Sequence, residues 1–507
     1  MRIRHVETRG QARTADLFET LAALARDEVA TFPALRPHQR QPWHAFLVQV
    51  AAMALHRAGL DGLPDTAEAW RQVLLALTPD WPEGEAWSLV VEDWTRPALL
   101  QPPVTRAADA AEYKAGVDTP DALDMLVTSK NHDLKAERMA GAGDDDWLFA
   151  LVTLQTYEGF MGAGNFGVSR MNGGFGSRVA FGVRPDGGPG AAFRRDVRHS
   201  LATRSAILSE HSGLAEAGGA GLLWLEPWDG RASRPFKGLD PFYVEICRRV
   251  RLVRAGGGIV ARVAGSKAAR IDAKELAGRT GDPWAPVMKD GTKSYGPTGA
   301  GFGYRQMARL MNPEIISRPP LGTPRSGDAA PGLSIVASAV VRGQGKTEGY
   351  HERRLPVPGP ARRLFAAAGG AALDRTGLVA QQRADEAAAM SRVLRHALFA
   401  LVRGGVEDVR LDDDAADRKA TAWLRLFDAR VDAGFFDEAF WTEVAEPEGP
   451  YRVRWRRQLR EVGHAVLEEA MEAAPRTDVR RIRARAQALN LFERRAGVFV
   501  KEADDAR

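Results

Sequence analysis

The strongest constraint on the fold is the change of pattern that follows Pro360. Before it, strand-like runs, glycine turns and short helical stretches alternate. Beyond it, the sequence is rich in Ala, Arg, Leu and Glu, and its apolar residues recur at helical spacing. Four segments carry this spacing: Met390–Leu401, Trp423–Gly434, Trp455–Pro475 and Val479–Leu489. Four amphipathic helices with mostly short connections predict a helical bundle.

The chain is therefore expected to be an α+β protein of two domains. Residues 1–360 would form a large mixed domain with loops and β-hairpins, and residues 361–507 the C-terminal four-helix bundle. A length of 507 residues with 45% hydrophobic and 27% charged residues suits a globular protein with a large core.

Several classes of protein are excluded by residue usage. The single cysteine, Cys247, rules out an internal disulfide framework and a cysteine-built zinc site. The ten histidines form no HExxH or HxH pattern, so neither a metal nor another cofactor is predicted. The start of the chain has no apolar stretch typical of a signal peptide, and no run approaches the ~20 apolar residues of a spanning helix. A cytoplasmic protein outside the membrane is expected.

The first domain contains recognisable elements between its loops. Pro42 is expected to open a helix, and Asp65–Glu68 to form a capping box for the next one. A third helix is predicted over Phe193–Leu214. The runs Phe242–Ile246 and Ile259–Val263 predict strands between glycine turns.

A glycine-rich stretch, Gly159–Arg178, is the first candidate for a binding site. Seven of its twenty residues are glycine, which lets a backbone adopt positive φ angles and approach a large ligand closely. Its side chains add further hydrogen-bond donors, and donors beside exposed backbone N–H groups suit an anionic, groove-shaped ligand. A tightly packed core turn would explain the same composition. The donors are Asn165, Ser169, Arg170, Asn172 and Arg178.

A β-hairpin with a polar tip is predicted near the end of the first domain. Leu333–Val341 and Tyr350–Val357 read as strands, and the glycine-flanked connection Arg342–Gly349 joins them. The tip is either a solvated turn or a small polar finger that carries Gln344, Lys346 and Thr347.

Two polar clusters leave alternatives open. Ser129–Asp133 and the soft stretch Gly141–Asp146 look like a loop that orders against another molecule. Alternatively, Asn131, His132 and the acidic cluster Asp144–Asp146 would bind a divalent ion in a nuclease, although no second histidine is suitably spaced.

Basic residues recur at helical spacing in the C-terminal region, at Arg452, Arg456 and Arg460 and again at Arg481 and Arg485. Such stripes are either solvated helix faces or phosphate contacts, whose affinity falls steeply as salt rises. The net charge of +5 permits a polyanionic partner without requiring one.

Three motifs together resemble the CasA family, the large subunit of type I-E Cascade, the CRISPR RNA-guided DNA surveillance complex. Gly162–Asn165 with Ser169–Gly174 is similar to the family's glycine loop and the Ser-x-x-x-Gly-Gly after it. Val341–Arg354 is similar to its glutamine-wedge hairpin with the trailing Glu-Arg-Arg. Leu126–Asp133 stands where the family has a flexible loop that reaches the guide. The resemblance covers most of the chain from about residue 40 onwards and includes the terminal helices.

The resemblance implies DNA recognition without catalysis by this chain. In such complexes base pairing reads the sequence, while the protein reads a short PAM duplex and its shape. By analogy, Gly162, Ala163, Gly164 and Asn165 would contact the PAM in the minor groove. The hairpin tip with Gln344, Lys346 and Thr347 would wedge under the first base pair and hold the duplex open.

The implied partners are CRISPR guide RNA, double-stranded target DNA, other Cascade subunits and a recruited helicase-nuclease that performs cleavage. Lys130, Asn131 and His132 would contact the 5′ handle of the guide. Arg452, Arg456 and Arg460 would contact phosphates from the bundle, which would face the displaced strand and the small subunits.

No residue set in the sequence supports chemistry of its own. There is no Walker motif, no paired-carboxylate metal signature and no defensible Ser/His/Asp order, so the chain is not expected to be an enzyme. The alternative to the Cascade hypothesis is a standalone RNA-binding or ribonucleoprotein scaffold protein without PAM readout.

Overall fold

The computed structural model describes residues 1–124, 141–328, 332–343, 346–405, 414–474 and 479–504, with the backbone alone at positions 343, 346, 347, 415 and 504. The chain divides into two compact units. The first comprises residues 1–302 and 314–356, and the second comprises residues 303–313 and 357–507. Within the described ranges, no helix is long and apolar enough to cross a membrane.

Helices occur in both units. Those of the first unit are α1 (Leu17–Ala25), α2 (Arg40–Ala58), α3 (Ala67–Leu75), α4 (Ala107–Ala110), α5 (Pro120–Leu123), α6 (Asp144–Tyr157) and α7 (Pro189–Glu210). Those of the second unit are α8 (Tyr304–Met311), α9 (Gly359–Ala368), α10 (Gly370–Arg403), α11 (Asp414–Gly434), α12 (Glu438–Ala445), α13 (Tyr451–Ala473) and α14 (Val479–Asp504). Short 3₁₀ turns lie at Pro37–Gln39, Glu85–Trp87, Lys274–Leu276 and Pro320–Gly322.

The described strands belong to small sheets of the first unit. They are β1 (Ile3–Glu7), β2 (Ala12–Ala15), β3 (Val29–Thr31), β4 (Ala115–Val117), β5 (Ala180–Pro185), β6 (Ala220–Leu222), β7 (Arg234–Pro235), β8 (Leu239–Val244), β9 (Arg249–Ala255), β10 (Gly258–Ala264), β11 (Ile271–Asp272), β12 (Val287–Met288), β13 (Ile316–Ser317), β14 (Leu333–Gly343) and β15 (Lys346–Val357). The three-stranded sheets have the orders β2-β1-β3, β4-β10-β9 and β15-β14-β5.

The core of the first unit is built around α2 and α6. Every residue of α2 from Gln41 to Leu55 is buried, which is the pattern of a helix surrounded on all sides by protein. Trp43 of α2 meets Phe149 of α6 edge to face at a ring separation of 5.2 Å, and Phe32 packs against both rings. Strand β8, buried along its whole length, packs against α2 as well.

The second unit is organised around the 34-residue helix α10. Helices α8, α11, α13 and α14 pack against it. Close approach to α8 requires a glycine at position 377, because a Cβ there would lie 2.1 Å from the carbonyl oxygen of Met311. An aromatic cluster forms around Phe435. Its ring stacks on Tyr304 at a centroid separation of 4.7 Å and lies edge-on to Trp455 at 5.5 Å.

The predicted fold class is confirmed: the chain is mixed helix and strand and its C-terminal region is helical. The apolar residues that mark the four predicted C-terminal segments all lie within helices, namely α10, α11, α13 and α14, while Pro475 lies outside the described residues. The shorter helices α8, α9 and α12 share their unit.

Details of the first unit differ from the sequence prediction. The cap of α3 is Thr66, whose hydroxyl accepts a hydrogen bond from the Ala69 amide at 3.3 Å, rather than Asp65. The acidic stretch predicted as part of a loop starts α6 at Asp144. The hairpin strands β14 and β15 extend further toward the tip than the sequence indicated, to positions 343 and 346.

Candidate nucleic-acid interface

The glycine-rich stretch leaves the end of α6 and folds back on itself. The Phe160 amide donates to the Gly174 carbonyl at 3.2 Å, and the Val168 amide donates to the Glu158 carbonyl at 2.8 Å. At the crossing only glycine fits, because a Cβ on Gly159 would lie 2.2 Å from the Gly176 carbonyl oxygen. Part of the glycine content therefore serves internal packing.

The tip of the stretch is the exposed turn Gly162–Asn165. The Asn165 amide donates to the Gly162 carbonyl at 3.0 Å, and φ is +103° at Gly162 and +86° at Gly164. Ala163 and Asn165 are exposed, and nothing lies within 4 Å of a Cβ built on Gly162. The four residues predicted from sequence thus lie together on one accessible turn.

A second attachment fixes this turn to the strand region that follows β10. The Gly164 carbonyl accepts hydrogen bonds from the Ser266 amide at 3.1 Å and from the Ser266 hydroxyl at 3.3 Å. The Asn165 side chain makes no hydrogen bond within the part of the chain that the structure describes, so its amide is free to bind another molecule.

The two arginines of the stretch do not face a ligand, contrary to the sequence interpretation. Arg170 and Arg178 are each 1% exposed. Arg178 forms an ion pair with Asp282 and donates through Nη2 to Asp282 Oδ1 at 2.7 Å. Arg170 lies over the Tyr243 ring at 3.8 Å from its centroid and donates to the Tyr243 carbonyl at 2.8 Å. Both cations therefore bind the loop to buried residues of the first unit, Tyr243 and Asp282.

Two further donors of the stretch are also bound internally. The Ser169 amide donates to Glu245 at 2.8 Å, and the Ser169 hydroxyl lies 2.7 Å from the Tyr243 hydroxyl. Asn172 donates to the Ser294 carbonyl at 3.1 Å. Of the five predicted donor side chains, Asn165 alone is exposed and unpaired among the described residues.

A residue that the sequence analysis missed, Arg248, holds the same loop from another side. Its guanidinium donates to the Phe166 carbonyl and, at 3.1 Å, to the Gly159 carbonyl. An arginine between two strands carries no local signal for such a role. It emerges only when the chain is folded.

The glycine-rich stretch is joined directly to the predicted wedge hairpin. The Ser177 amide donates to the Val340 carbonyl at 2.8 Å, and the Val340 amide donates back to the Ser177 hydroxyl at 2.7 Å. Arg342 of β14 lies 3.7 Å from Glu158 and donates to the Met161 sulfur.

Burial dominates the electrostatics of this junction. It raises the pKa of Glu158 to about 7, against the opposing influence of Arg342 and Arg248. Burial likewise lowers the pKa of Arg342, although Glu158 opposes the shift. The carboxyl and the guanidinium are therefore held in a region where charge is poorly solvated.

Several predicted site residues cannot be placed. Gln344 lies outside the described residues, as do Lys130, Asn131 and His132. For Lys346 and Thr347 the backbone belongs to β15, and nothing is described of their side chains.

The three arginines of α13 do not form one free basic stripe. Arg456 is buried, lies 4.4 Å from the Phe499 ring centroid and bonds Glu386 at 3.0 Å, so its prediction as a phosphate contact conflicts with its position. Arg452 and Arg460 have side chains 44% exposed and are paired with Glu386 and Glu493 respectively.

The acidic cluster considered as a nuclease metal site has another role. Asp145 binds Arg4 in a bidentate manner, with its Oδ1 2.7 Å from Nη2, and Asp146 accepts from the same guanidinium at 2.9 Å. Among the described residues, no group of three or more His, Cys, Asp or Glu side chains is arranged to hold a metal ion.

Comparison with known proteins gives a consistent result for the fold. No protein-family model matches the sequence, and no curated protein matches it. Among solved structures, Thermus thermophilus CasA (Cse1) matches with 16% identity and a TM-score of 0.63, over 98% of this chain and 97% of that chain. Cse1 from Acidimicrobium ferrooxidans, a CRISPR-associated protein, matches with 14% identity and a TM-score of 0.64, over 99% and 97%.

A chain of a CRISPR RNA-guided surveillance complex also matches, with 14% identity and a TM-score of 0.52, over 98% of this chain and 97% of that one. The chain therefore has the fold of the CasA/Cse1 proteins along nearly its whole length, which confirms the resemblance noted from the motifs at the level of the fold.

Proposed function

We propose that this protein is a CasA-family large subunit of an RNA-guided DNA surveillance complex of type I-E and that it recognises the PAM of double-stranded target DNA. The observation that carries the proposal is the CasA/Cse1 fold over 98% of the chain. A structural likeness at 16% identity supports the fold. The function rests in addition on what the residues at the glycine turn and the hairpin can do.

The turn Gly162–Asn165 is suited to a minor groove. It is exposed, and two of its four residues lack side chains. Ser266 bonds the turn at Gly164, and Arg248 bonds the flanking residues Gly159 and Phe166, so the backbone is held in place. The minor groove presents a degenerate pattern of acceptors with one guanine donor. A turn that reads it mainly through backbone groups would tolerate several PAM sequences, and the free amide of Asn165 would add one directed hydrogen bond.

The hairpin β14–β15 is the proposed wedge. Its strand β14 is the central strand of a three-stranded sheet, fixed by pairing with β5 and by the Ser177–Val340 bonds. Its tip, with Gln344, Lys346 and Thr347, would be inserted beneath the first base pair. Unstacking a base step costs a few kcal/mol, which PAM contacts and the first heteroduplex pairs must offset.

The remaining partners follow from the same assignment. Guide RNA would be contacted by Lys130, Asn131 and His132, and other Cascade subunits would pack around the chain. Arg452 and Arg460 remain candidates for phosphate contacts, since half-exposed guanidiniums can exchange a carboxylate for a phosphate. The chain performs no cleavage in this proposal, and a recruited helicase-nuclease supplies it.

The test is binding of the guide-loaded complex to target duplexes with a randomised PAM. Asn165→Asp places a negative charge on the exposed turn and is expected to reduce PAM-dependent binding at least about tenfold, because carboxylate and groove acceptors repel. A Gln344→Ala/Lys346→Ala variant is expected to keep PAM binding and to lose strand opening, measured by permanganate reactivity of unpaired thymines.

Gln11→Glu is the matched control, because it introduces the same charge at an exposed position of the same unit, between β1 and β2. It should bind like the unchanged protein. If Asn165→Asp and Gln11→Glu behave alike and salt alone governs binding, the PAM assignment is wrong. The alternative, a ribonucleoprotein scaffold without PAM readout, would then be favoured.

A further inference from the structure

A cavity of about 270 Å³ lies in the first unit, and no residue of the glycine-rich stretch is among its described lining. It is bounded by α2, by the segment that contains β3 and by the start of α7. Its volume is close to the lower end of the range for small-molecule sites, about 300–1,000 Å³. Its apolar wall consists of Leu24, Phe32, Leu35, Trp43, Leu47 and Phe193.

The charged residues that line this cavity are cationic. They are Arg40, Arg184 and Arg354, and no Asp or Glu is among the described residues of the lining. Arg40 is exposed, and its guanidinium has no hydrogen-bonding or ionic partner in the described part of the chain. Arg184 donates one hydrogen bond to Gln41 at 3.0 Å. Arg354 donates through Nε to Ser334 at 3.0 Å, and its Nη2 lies 3.6 Å from Asp186 Oδ1. Both guanidiniums keep N–H donors to spare.

The first turn of α7 adds to the positive potential of the cavity. Gly188 and Pro189 line it, and the 22-residue helix starts there without a side-chain cap. The free amides of a helix N-terminus favour an anion. Three cations and one helix start thus border a space whose other lining side chains are mostly apolar, with Thr31 and His44 as the polar exceptions.

We propose that this cavity binds a small organic anion with an apolar or aromatic body and one carboxylate or phosphate group. The body would occupy the space beside Phe32, Trp43 and Phe193, and the anionic group would bind Arg40 and Arg184 near the start of α7. The proposal uses neither the turn Gly162–Asn165 nor the tip residues of the hairpin, although Arg354 of the cavity lining belongs to β15.

The experiment uses the full chain and four probes in isothermal titration calorimetry. 3-Phenylpropionate and phenyl phosphate carry both the ring and the anion, 3-phenylpropanol carries the ring alone, and inorganic phosphate the anion alone. The first two are expected to bind at least about tenfold more tightly than the last two, because only they contact both the apolar side chains and the arginines. The stronger of the two anionic probes then identifies the preferred acid group.

Two variants locate the binding. Arg40→Gln/Arg184→Gln should weaken both anionic probes at least about tenfold, and Ala192→Leu should abolish binding because its side chain enters the cavity. Arg9→Gln, an exposed arginine of the same unit outside the cavity, should change nothing. If Ala192→Leu fails to fold, the arginine pair decides the matter alone.

Three results would overturn the proposal. Equal affinity for 3-phenylpropanol and 3-phenylpropionate would show that the cations take no part. Binding that survives both variants would place the ligand elsewhere. If no probe binds at millimolar concentration, the cavity is not a binding site for small organic anions.

Discussion

Arginine serves opposite purposes in the two regions that the sequence marked as basic. Beneath the glycine turn, Arg170 and Arg178 are buried and bind the protein's own carboxylates and carbonyls. On α13, Arg452 and Arg460 have side chains 44% exposed, and they pair with the buried Glu386 and the partly exposed Glu493 respectively. The first set builds the platform on which a binding turn rests. The second set is placed where a polyanion could reach it.

The difference teaches that arginine content does not measure a basic surface. A buried cation loses its hydration and needs paired, well-oriented acceptors, so removal of one partner leaves an uncompensated charge. An exposed pair exchanges with water and contributes about 0–1 kcal/mol. The same substitution should therefore have very different effects in the two regions.

The largest effect is expected for Arg178→Gln. It leaves Asp282 buried with Arg170, 3.9 Å away, as its remaining cation, and the free energy of unfolding should fall by about 3–5 kcal/mol. Denaturant unfolding measures the loss, and hydrogen exchange should show it concentrated in residues 157–178. Arg26→Gln, in the half-exposed pair with Glu28, is the control and should cost less than about 1 kcal/mol. Equal losses would refute the contrast.

A smaller effect, dependent on pH, is expected at Glu158. Burial raises its pKa from 4.5 to about 7, so between these values the folded protein holds a proton that the unfolded chain has released. Stability then falls as pH rises through this window, by up to about 3 kcal/mol. Glu158→Gln cannot lose this proton. Its stability relative to the unchanged protein should increase between pH 5 and pH 8, as measured by denaturant unfolding at both pH values. Parallel pH profiles would show that Glu158 is ionised throughout.

Arg456 and Arg460 provide a comparison within one helix. Arg456→Gln removes bonds to Glu386 and to the Phe499 carbonyl, while Arg452 still accompanies Glu386. A loss of about 2 kcal/mol is expected. Arg460→Gln, one turn further on, should cost less than about 1 kcal/mol.

The order of the two substitutions should be the opposite for DNA binding, where Arg460→Gln should have the larger effect. Arg460→Gln should reduce the salt dependence of target binding by the guide-loaded complex, because it removes a phosphate contact and the counterion release that accompanies it. Arg456→Gln should leave the salt dependence unchanged. If Arg456→Gln also reduced the slope of log affinity against log salt concentration in a complex that remains folded, Arg456 would be a phosphate contact after all.

The sequence predicted those features that depend on local pattern. Helical periodicity located α10, α11, α13 and α14, and alternation with glycine turns located the hairpin β14–β15, because neighbouring residues determine both patterns. The exposed turn Gly162–Asn165 also follows from local composition, since positive φ angles favour glycine.

What the sequence could not predict depends on partners far along the chain. Arg178 is separated from Asp282 by 104 residues, and Arg248 from Gly159 by 89. Whether an arginine in a glycine-rich loop faces a ligand or its own core is decided by such contacts. Arg452, Arg456 and Arg460 likewise share one spacing, yet the packing of α14 buries only the middle one.

The smallest effect is expected for Gly162→Ala, which tests whether the turn and its platform are separable. A Cβ at this position meets nothing within 4 Å, so the cost is confined to the backbone at φ = +103°, about 1 kcal/mol. Gly10→Ala, also open and at φ = +84° between β1 and β2, is the matched control with a similar cost. Hydrogen exchange in Gly162→Ala should increase at residues 160–166 and remain unchanged at Ser177 and Arg178, which the buried ion pair holds. If exchange increases at both, the turn and the buried arginines form one cooperative unit, and a substitution at the exposed surface reaches the platform directly.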